Sequence, residues 1–239
     1  MRSEDDLKSQ TLLVILAHPD DESFPIGGTL AKAAAQAARV VLVCATKGEA
    51  GIPGLTPAAT AAVRERELRA AAQALGIAEV IFLGYQDGQL AQVNPESVIT
   101  RLVALLRAER PQVVVTFGPD GISGHPDHLA IHRLTTAAFD QAALPDARLY
   151  YIAPSEATQL GCGVVPTPAW AGGPVAAIDV GEHLTAKARA MQSHASQHSP
   201  YSGPPEEAAA RLPCHEYFTL ARPRLAAGAF TDLFAARRA

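Results

Sequence analysis

Short runs of branched apolar residues, alternating with stretches of helical periodicity, constrain this chain more than any other feature. The runs are Thr11–Ala17, Val40–Ala45, Glu79–Leu83 and Val113–Phe117. The first places Leu, Val and Ile at successive positions, so both faces of the strand it forms must be buried, as in a central parallel strand. Helical segments are predicted over 30–38, 58–75 and 95–107 and from Pro126 onward. The second carries a stripe of Val63, Leu68, Ala71, Ala72 and Leu75, with Gly76 placed to end it. Strand–helix alternation of this kind demands a parallel sheet covered on both sides. The predicted class is α/β: a Rossmann-like, mostly parallel sheet with helices on both faces and an elaborated C-terminal third. In that third, Arg148–Ala153, Ala176–Val180 and His215–Ala221 are read as extended, Glu182–His194 as helical, and Gly161–Pro174 as irregular. Residues 1–10 are read as a tail and 11–239 as a single domain.

Composition removes several classes of function. A formal net charge of -4 and a pI near 6.1 argue against a general nucleic-acid binder, which needs a basic face. No apolar stretch approaches the roughly 20 residues of a membrane span. Residues 1–10 are charged and show no apolar leader core. Cys44, Cys162 and Cys214 lie far apart, which fits a reducing cytoplasm and no disulfide framework.

Two clusters carry the chemistry. His18-Pro19-Asp20-Asp21-Glu22 follows the first apolar run, and Gly124-His125-Pro126-Asp127-His128 follows the fourth. Either alone reads equally well as a turn with a helix-capping Asp. Together they place imidazoles and carboxylates at two strand ends, where ligands bind in α/β sheets. Two imidazoles and a carboxylate also match a common catalytic zinc set. His132, four residues after His128, lacks the Glu of a His-Glu-x-x-His helix and is read as a structural or packing residue. Gly27-Gly28 fits neither dinucleotide nor P-loop patterns, and no serine sits in a nucleophile elbow.

These two clusters resemble the signature motifs of the LmbE-like (PIG-L) zinc deacetylases. The likeness continues through Thr46–Gly51, Arg64-Glu65-Arg66-Glu67-Leu68, Leu83–Gly88, Lys187 and His194-Ala195-Ser196-Gln197. Tyr85-Gln86-Asp87 departs from it, since many relatives have proline before the Asp. The resemblance implies removal of an N-acetyl group from a GlcNAc-containing small molecule. It puts the metal ligands at His18, Asp21 and His128, with Zn²⁺ as the ion and Fe²⁺ as an ion the same donors tolerate.

Asp20 is then the base for a zinc-activated water, and His125 stabilises the oxyanion or serves as an acid, with Asp127 orienting it. Either Asp20 or His125 protonates the amine. Arg64, Asp87, Glu49 and His194 are assigned to the substrate side, although Arg64 reads equally as a solvated helix residue and Asp87 as a turn residue. An amidase acting on another acyl or thiol-conjugate amide, and a zinc-retaining binding module, are the rival readings. A homo-oligomer is the expected assembly.

Overall fold

The computed structural model describes residues 10–153, 175–197, 199–224 and 229–234. Its chain runs β1 (Thr11–Leu16), α1 (Gly27–Ala35), β2 (Arg39–Cys44), α2 (Pro57–Leu75), β3 (Glu79–Phe82), α3 (Pro95–Glu109), β4 (Val113–Phe117), α4 (Pro126–Ala142) and β5 (Arg148–Ala153). It continues with β6 (Val175–Asp179), α5 (Leu184–Ser193), α6 (Pro205–Ala209), β7 (His215–Arg222) and β8 (Ala229–Phe230). All these strands join one sheet in the order β3-β2-β1-β4-β5-β7-β6-β8. The first five run parallel, with β1 flanked by β2 and β4. Strand β7 runs antiparallel to both β5 and β6. The sheet is thus mostly parallel, as the alternation predicts, and the late strands supply its antiparallel part.

Leu12 through Ala17 and Val40 through Ala45 are buried without a break, as are Val113 to Phe117. Strands sandwiched between helix layers need that pattern. The chain leaves β1 toward β2 and β3, then returns past β1 to β4 and β5. With right-handed crossovers, that reversal sends α1 and α2 to one face and α3 and α4 to the other. It also opens a crevice at the C-terminal ends of β1 and β4, the topological switch point. Both histidine clusters emerge there.

Local signals fix the helix starts. Thr56 accepts from the Ala59 N–H ahead of Pro57, Asn94 from the Glu96 N–H ahead of Pro95, and His125 from the Asp127 N–H ahead of Pro126. Helix α1 has no such cap and begins at Gly27 rather than at Leu30. Its Gly28 and Thr29 N–H groups instead donate to the Glu216 carboxylate at 3.0 and 2.7 Å. The expected late helix divides into a 3-10 turn at Gly181–His183 and helix α5. The irregular segment predicted at 161–174 lies outside the described residues.

Candidate metal centre

The turn after β1 is built around Asp20, whose φ of 105° is left-handed although the residue is not glycine. Such a conformation costs about 1–3 kcal/mol and persists only where neighbours over-determine it. Here Glu22 accepts the Asp20 N–H at 3.0 Å, Asp21 Oδ2 accepts the His18 N–H at 2.7 Å, and Arg64 binds the Pro19 carbonyl. The turn therefore sends the carboxylates of Asp20 and Asp21 to different partners. Asp21 faces the histidines, at 3.6 Å from His18 Nδ1 and 3.3 Å from His128 Nε2. Asp20 Oδ2 instead accepts from Arg64 Nη2 at 2.9 Å.

Across the crevice, α4 contributes His128 from its first turn, and His18 Nδ1 approaches His128 Nε2 to 3.1 Å. A four-coordinate ion with metal–ligand bonds of about 2.0–2.1 Å sets its donors about 3.3 Å apart. The three separations found here bracket that value, so this donor set fits a divalent cation. The outer nitrogens support the fit. His128 Nδ1 donates to the Gly121 carbonyl at 2.9 Å, so its proton is there and Nε2 keeps a lone pair. The His128 ring also stacks on Phe117 with centroids 4.0 Å apart. His18 Nε2 faces Asp87 Oδ1 at 3.1 Å and Asp127 Oδ2 at 3.3 Å, which keeps a proton on Nε2 and makes Nδ1 the nitrogen with the lone pair in the neutral ring. Metal-bound histidines ordinarily hold their second nitrogen in this way.

The charges within the cluster set its proton affinities. Burial disfavours the His18 imidazolium, yet Asp127, Asp21 and Asp87 outweigh it and push the group up to about 12. Burial likewise opposes charge on Asp21, but His128 and His18 hold its carboxyl well below the usual range. His128 is raised by Asp21 against its burial. Asp20 differs from its neighbour: burial and the Asp21 charge push it up to about 7, against the pull of Arg64. Two adjacent carboxylates are thus driven apart, the signature of a site that assigns them different tasks.

The crevice is an open cleft of about 370 Å³ lined by Asp20, Asp87, Gly51, Arg64, His125 and Gln197 together with the donors. His125 accepts the Asp127 N–H through Nδ1 at 3.2 Å, which leaves Nε2 as the protonated nitrogen of the neutral ring. Burial, followed by His18 and His128, lowers its pKa and favours that neutral form. The same ring brings a nitrogen within 4.8 Å of those of His18 and His128.

Comparisons with known proteins give this geometry its context. The family profile described as PIG-L, GlcNAc-PI de-N-acetylase, matches residues 13–139, which span both histidine clusters. The chain belongs to the PIG-L family. Over 230 residues it is 37% identical to a 1D-myo-inositol 2-acetamido-2-deoxy-alpha-D-glucopyranoside deacetylase of Mycobacteroides abscessus, covering 80% of this chain and 82% of the relative. A solved N,N'-diacetylchitobiose deacetylase from Pyrococcus horikoshii superposes with a TM-score of 0.63 at 26% identity, covering 80% of this chain and 72% of the other. The 4-carboxy-2-hydroxymuconate hydratase GalB of Pseudomonas putida shares the fold as well, with a TM-score of 0.66 at 20% identity over 90% of this chain and 98% of its own. Fold alone therefore does not choose the reaction.

The remaining predicted residues of this PIG-L chain fall into two groups. Asp87 is at the cleft, where it accepts the Ala50 N–H through Oδ2 at 3.0 Å. Burial opposes its charge, but His18 holds it near 2. Glu49 is half-buried behind it and accepts the Asp87 N–H at 3.3 Å. Arg64 reaches the cleft, but its guanidinium is largely spent on Asp20, Pro19 and Gly48. Gly48 and Gly51 are glycines for that reason, because a Cβ on either would run into the guanidinium.

Two positions differ from the sequence expectation. Asp127 is fully buried, and its carboxylate accepts from the Gly88 and Leu90 N–H groups at 2.7 and 3.0 Å while facing His18. It orients His18 rather than His125, because its backbone N–H and not its carboxylate meets the His125 ring. His194 lies behind the cleft: its side chain is wholly buried and meets Glu22 Oε1 at 2.7 Å. His132, read as a structural or packing residue, donates from Nδ1 to the Phe117 carbonyl at 2.8 Å.

Sequence reasoning also passed over Glu67, which accepts the Ser196 N–H and hydroxyl at 2.8 and 2.6 Å. This holds the Gln197 turn at the cleft. Its signal was the matched pair of motifs around Arg64 and His194. Lys187 belongs to the structure beneath, in a buried ion pair with Glu216 at 2.6 Å.

Proposed function

We propose that this protein is a zinc-dependent hydrolase that removes the N-acetyl group from a small GlcNAc-containing molecule, releasing acetate and a free amine. One observation carries the reading: His18 Nδ1, Asp21 and His128 Nε2 converge at cation-binding distances, while the adjacent Asp20 is kept off them by Arg64. Those three residues would hold the zinc ion, which would supply Lewis acidity at the amide and ease deprotonation of water near neutral pH. Asp20, its carboxylate in the cleft, takes the proton of the attacking water. His125 presents Nε2–H to the amide oxygen as negative charge develops there, the role of an oxyanion donor. Either of these two groups returns a proton to the departing nitrogen. Asp127 and Asp87 keep the Nε2 proton of His18 in place.

The substrate class follows the relatives, named for the inositol-linked acetamido sugar and for diacetylchitobiose. A cleft of this size suits one such molecule. A formal net charge of -4 argues against nucleic acid as a partner, and among the described residues no helix is long and apolar enough to cross a membrane. We assign the protein to the cytoplasm from its widely separated cysteines.

The test offers the inositol-linked sugar, N,N'-diacetylchitobiose and longer acyl analogues to protein loaded with zinc, loaded anaerobically with Fe²⁺, or stripped by chelator. Amine and the matching carboxylate, acetate for the acetamides, should appear in equal amounts and only with metal, the two ions ranking by rate. Turnover that ignores chelation removes the metal from the mechanism. Absence of amine from every acetamide, with hydration of an unsaturated acid instead, would transfer the protein to the chemistry of its hydratase neighbour.

A further inference from the structure

Beneath the cleft lies a pair of ionisable groups that none of the chemistry above uses. Glu22 and His194 are 172 residues apart, and both side chains are completely shielded from solvent. His194 Nε2 lies 2.7 Å from Glu22 Oε1. An acceptor-only carboxylate there requires that nitrogen to be the donor. The second oxygen of the same carboxylate, Glu22 Oε2, accepts the backbone N–H of Asp20 at 3.0 Å, and the Ser23 hydroxyl completes Oε1. Asp20 is the residue of this turn with a left-handed backbone, and among the described residues its N–H is donated to nothing else. The His194 end is fixed independently, since the next turn is tied by Ser196 to Glu67 and by Gln197 to the Gly51 carbonyl.

From this arrangement we infer that Glu22 and His194 are positioning residues for Asp20. His194 orients the Glu22 carboxylate, and that carboxylate holds the Asp20 peptide in the one orientation that points its side chain at Arg64 rather than at the metal donors. The inference rests on the deacetylase reading for its effect on rate, but not for its effect on the turn. It predicts a particular pattern of loss. Asp20 should stay chemically intact but be misplaced, and misplacement of a reacting group by about 1 Å costs roughly 10²-fold. Metal and substrate contacts do not pass through Glu22 and should survive.

The holoenzyme variants His194→Phe, His194→Asn and His194→Gln test this. Phe keeps the ring without its N–H, Asn is too short to reach Glu22, and Gln reaches it with an amide N–H. The Phe and Asn variants should lose roughly 10- to 100-fold in kcat, with KM and bound metal unchanged, and Gln should recover most of the loss. Added to Asp20→Ala, either substitution should cost nothing further, as expected when one residue acts through the other. A second readout needs no substrate. Amide hydrogen exchange at Asp20 should be slow in the parent and Gln proteins and about tenfold faster with Asn or Phe. Unchanged kcat in an active parent overturns the inference, as does a loss that tracks loss of metal. If the parent hydrolyses no acetamide, the deacetylase reading fails and the exchange rate decides alone, unchanged protection refuting the brace.

Discussion

Asp20 and Asp21 are neighbours of identical chemistry whose fates the turn divides. Asp21 meets two imidazoles; Asp20 meets a guanidinium and a backbone held by Glu22. Asp20→Asn should therefore retain its metal and lose kcat by roughly 10²–10⁴-fold, the usual contribution of a general base. Asp21→Asn should lose metal first, which elemental analysis of the purified variants will read directly. The same residues set a pH dependence for metal uptake. Facing carboxylates outweigh burial and push the His18 pKa up to about 12, so a cation at Nδ1 has to expel a proton. Affinity must then rise with pH, by about tenfold per unit for each proton released. Competition with a chromophoric chelator at pH 6, 7 and 8 measures this, and a flat profile would mean that His18 is no ligand. Both histidine motifs were legible at this scale only as a pair, because capping needs explain one such cluster after a buried strand but not two. The tautomers were not. Which nitrogen of His18 is free depends on Asp127 and Asp87, both remote from it in sequence, and that of His128 on a Gly121 carbonyl that only the folded turn before α4 aims at the ring.

Among the elements, the most informative are the Gly48–Gly51 loop and helix α2. The sequence marks the loop as functional by composition and leaves Arg64 between a surface role and a site role. Packing resolves both together, because the guanidinium of α2 lies where two Cβ atoms would otherwise be and reaches through to Asp20. Gly48→Ala should consequently act at a distance. Its left-handed φ of 65° and the collision with Arg64 predict a stability loss of about 1–3 kcal/mol. They also predict a fall in kcat at constant metal content, as Arg64 is pushed off Asp20. Urea unfolding and metal analysis of the one variant test both halves. Strands β1, β2 and β4 were readable because burial on both faces leaves an apolar run, broken only by the buried Thr116 in β4. The start of α1 was not, since its cap, Glu216, comes from a strand 188 residues later.

For the whole molecule, the question is what ties the elaborated C-terminal third to the parallel half that carries the motifs. Periodicity identified β5 and β7 as strands, but it could not show that β7 inserts between β5 and β6, because strand pairing is decided by partners far away in the chain. That insertion brings Glu216 under the N-terminus of α1, where it accepts two backbone N–H groups and Lys187 from α5. Lys187 and Glu216 are each only 3% exposed. The pair thus fastens β7, α1 and α5 together beneath the turn that carries Asp20. Removing one partner of a buried ion pair ordinarily costs about 3–5 kcal/mol, because the other charge is left uncompensated. Glu216 would keep the α1 N–H groups and the positive end of the helix dipole, which puts Lys187→Met near the lower limit, about 3 kcal/mol. For a chain of this length that corresponds to a fall of roughly 6–12 °C in Tm. Lys187→Met/Glu216→Gln should be less destabilised than Lys187→Met alone, since the uncharged amide needs no counter-charge while its single oxygen still accepts one of the two α1 N–H groups. Thermal denaturation of the two variants separates the outcomes. Equal losses would mean that the ammonium contributes by filling space, and that the C-terminal third is held to the sheet by its apolar contacts instead.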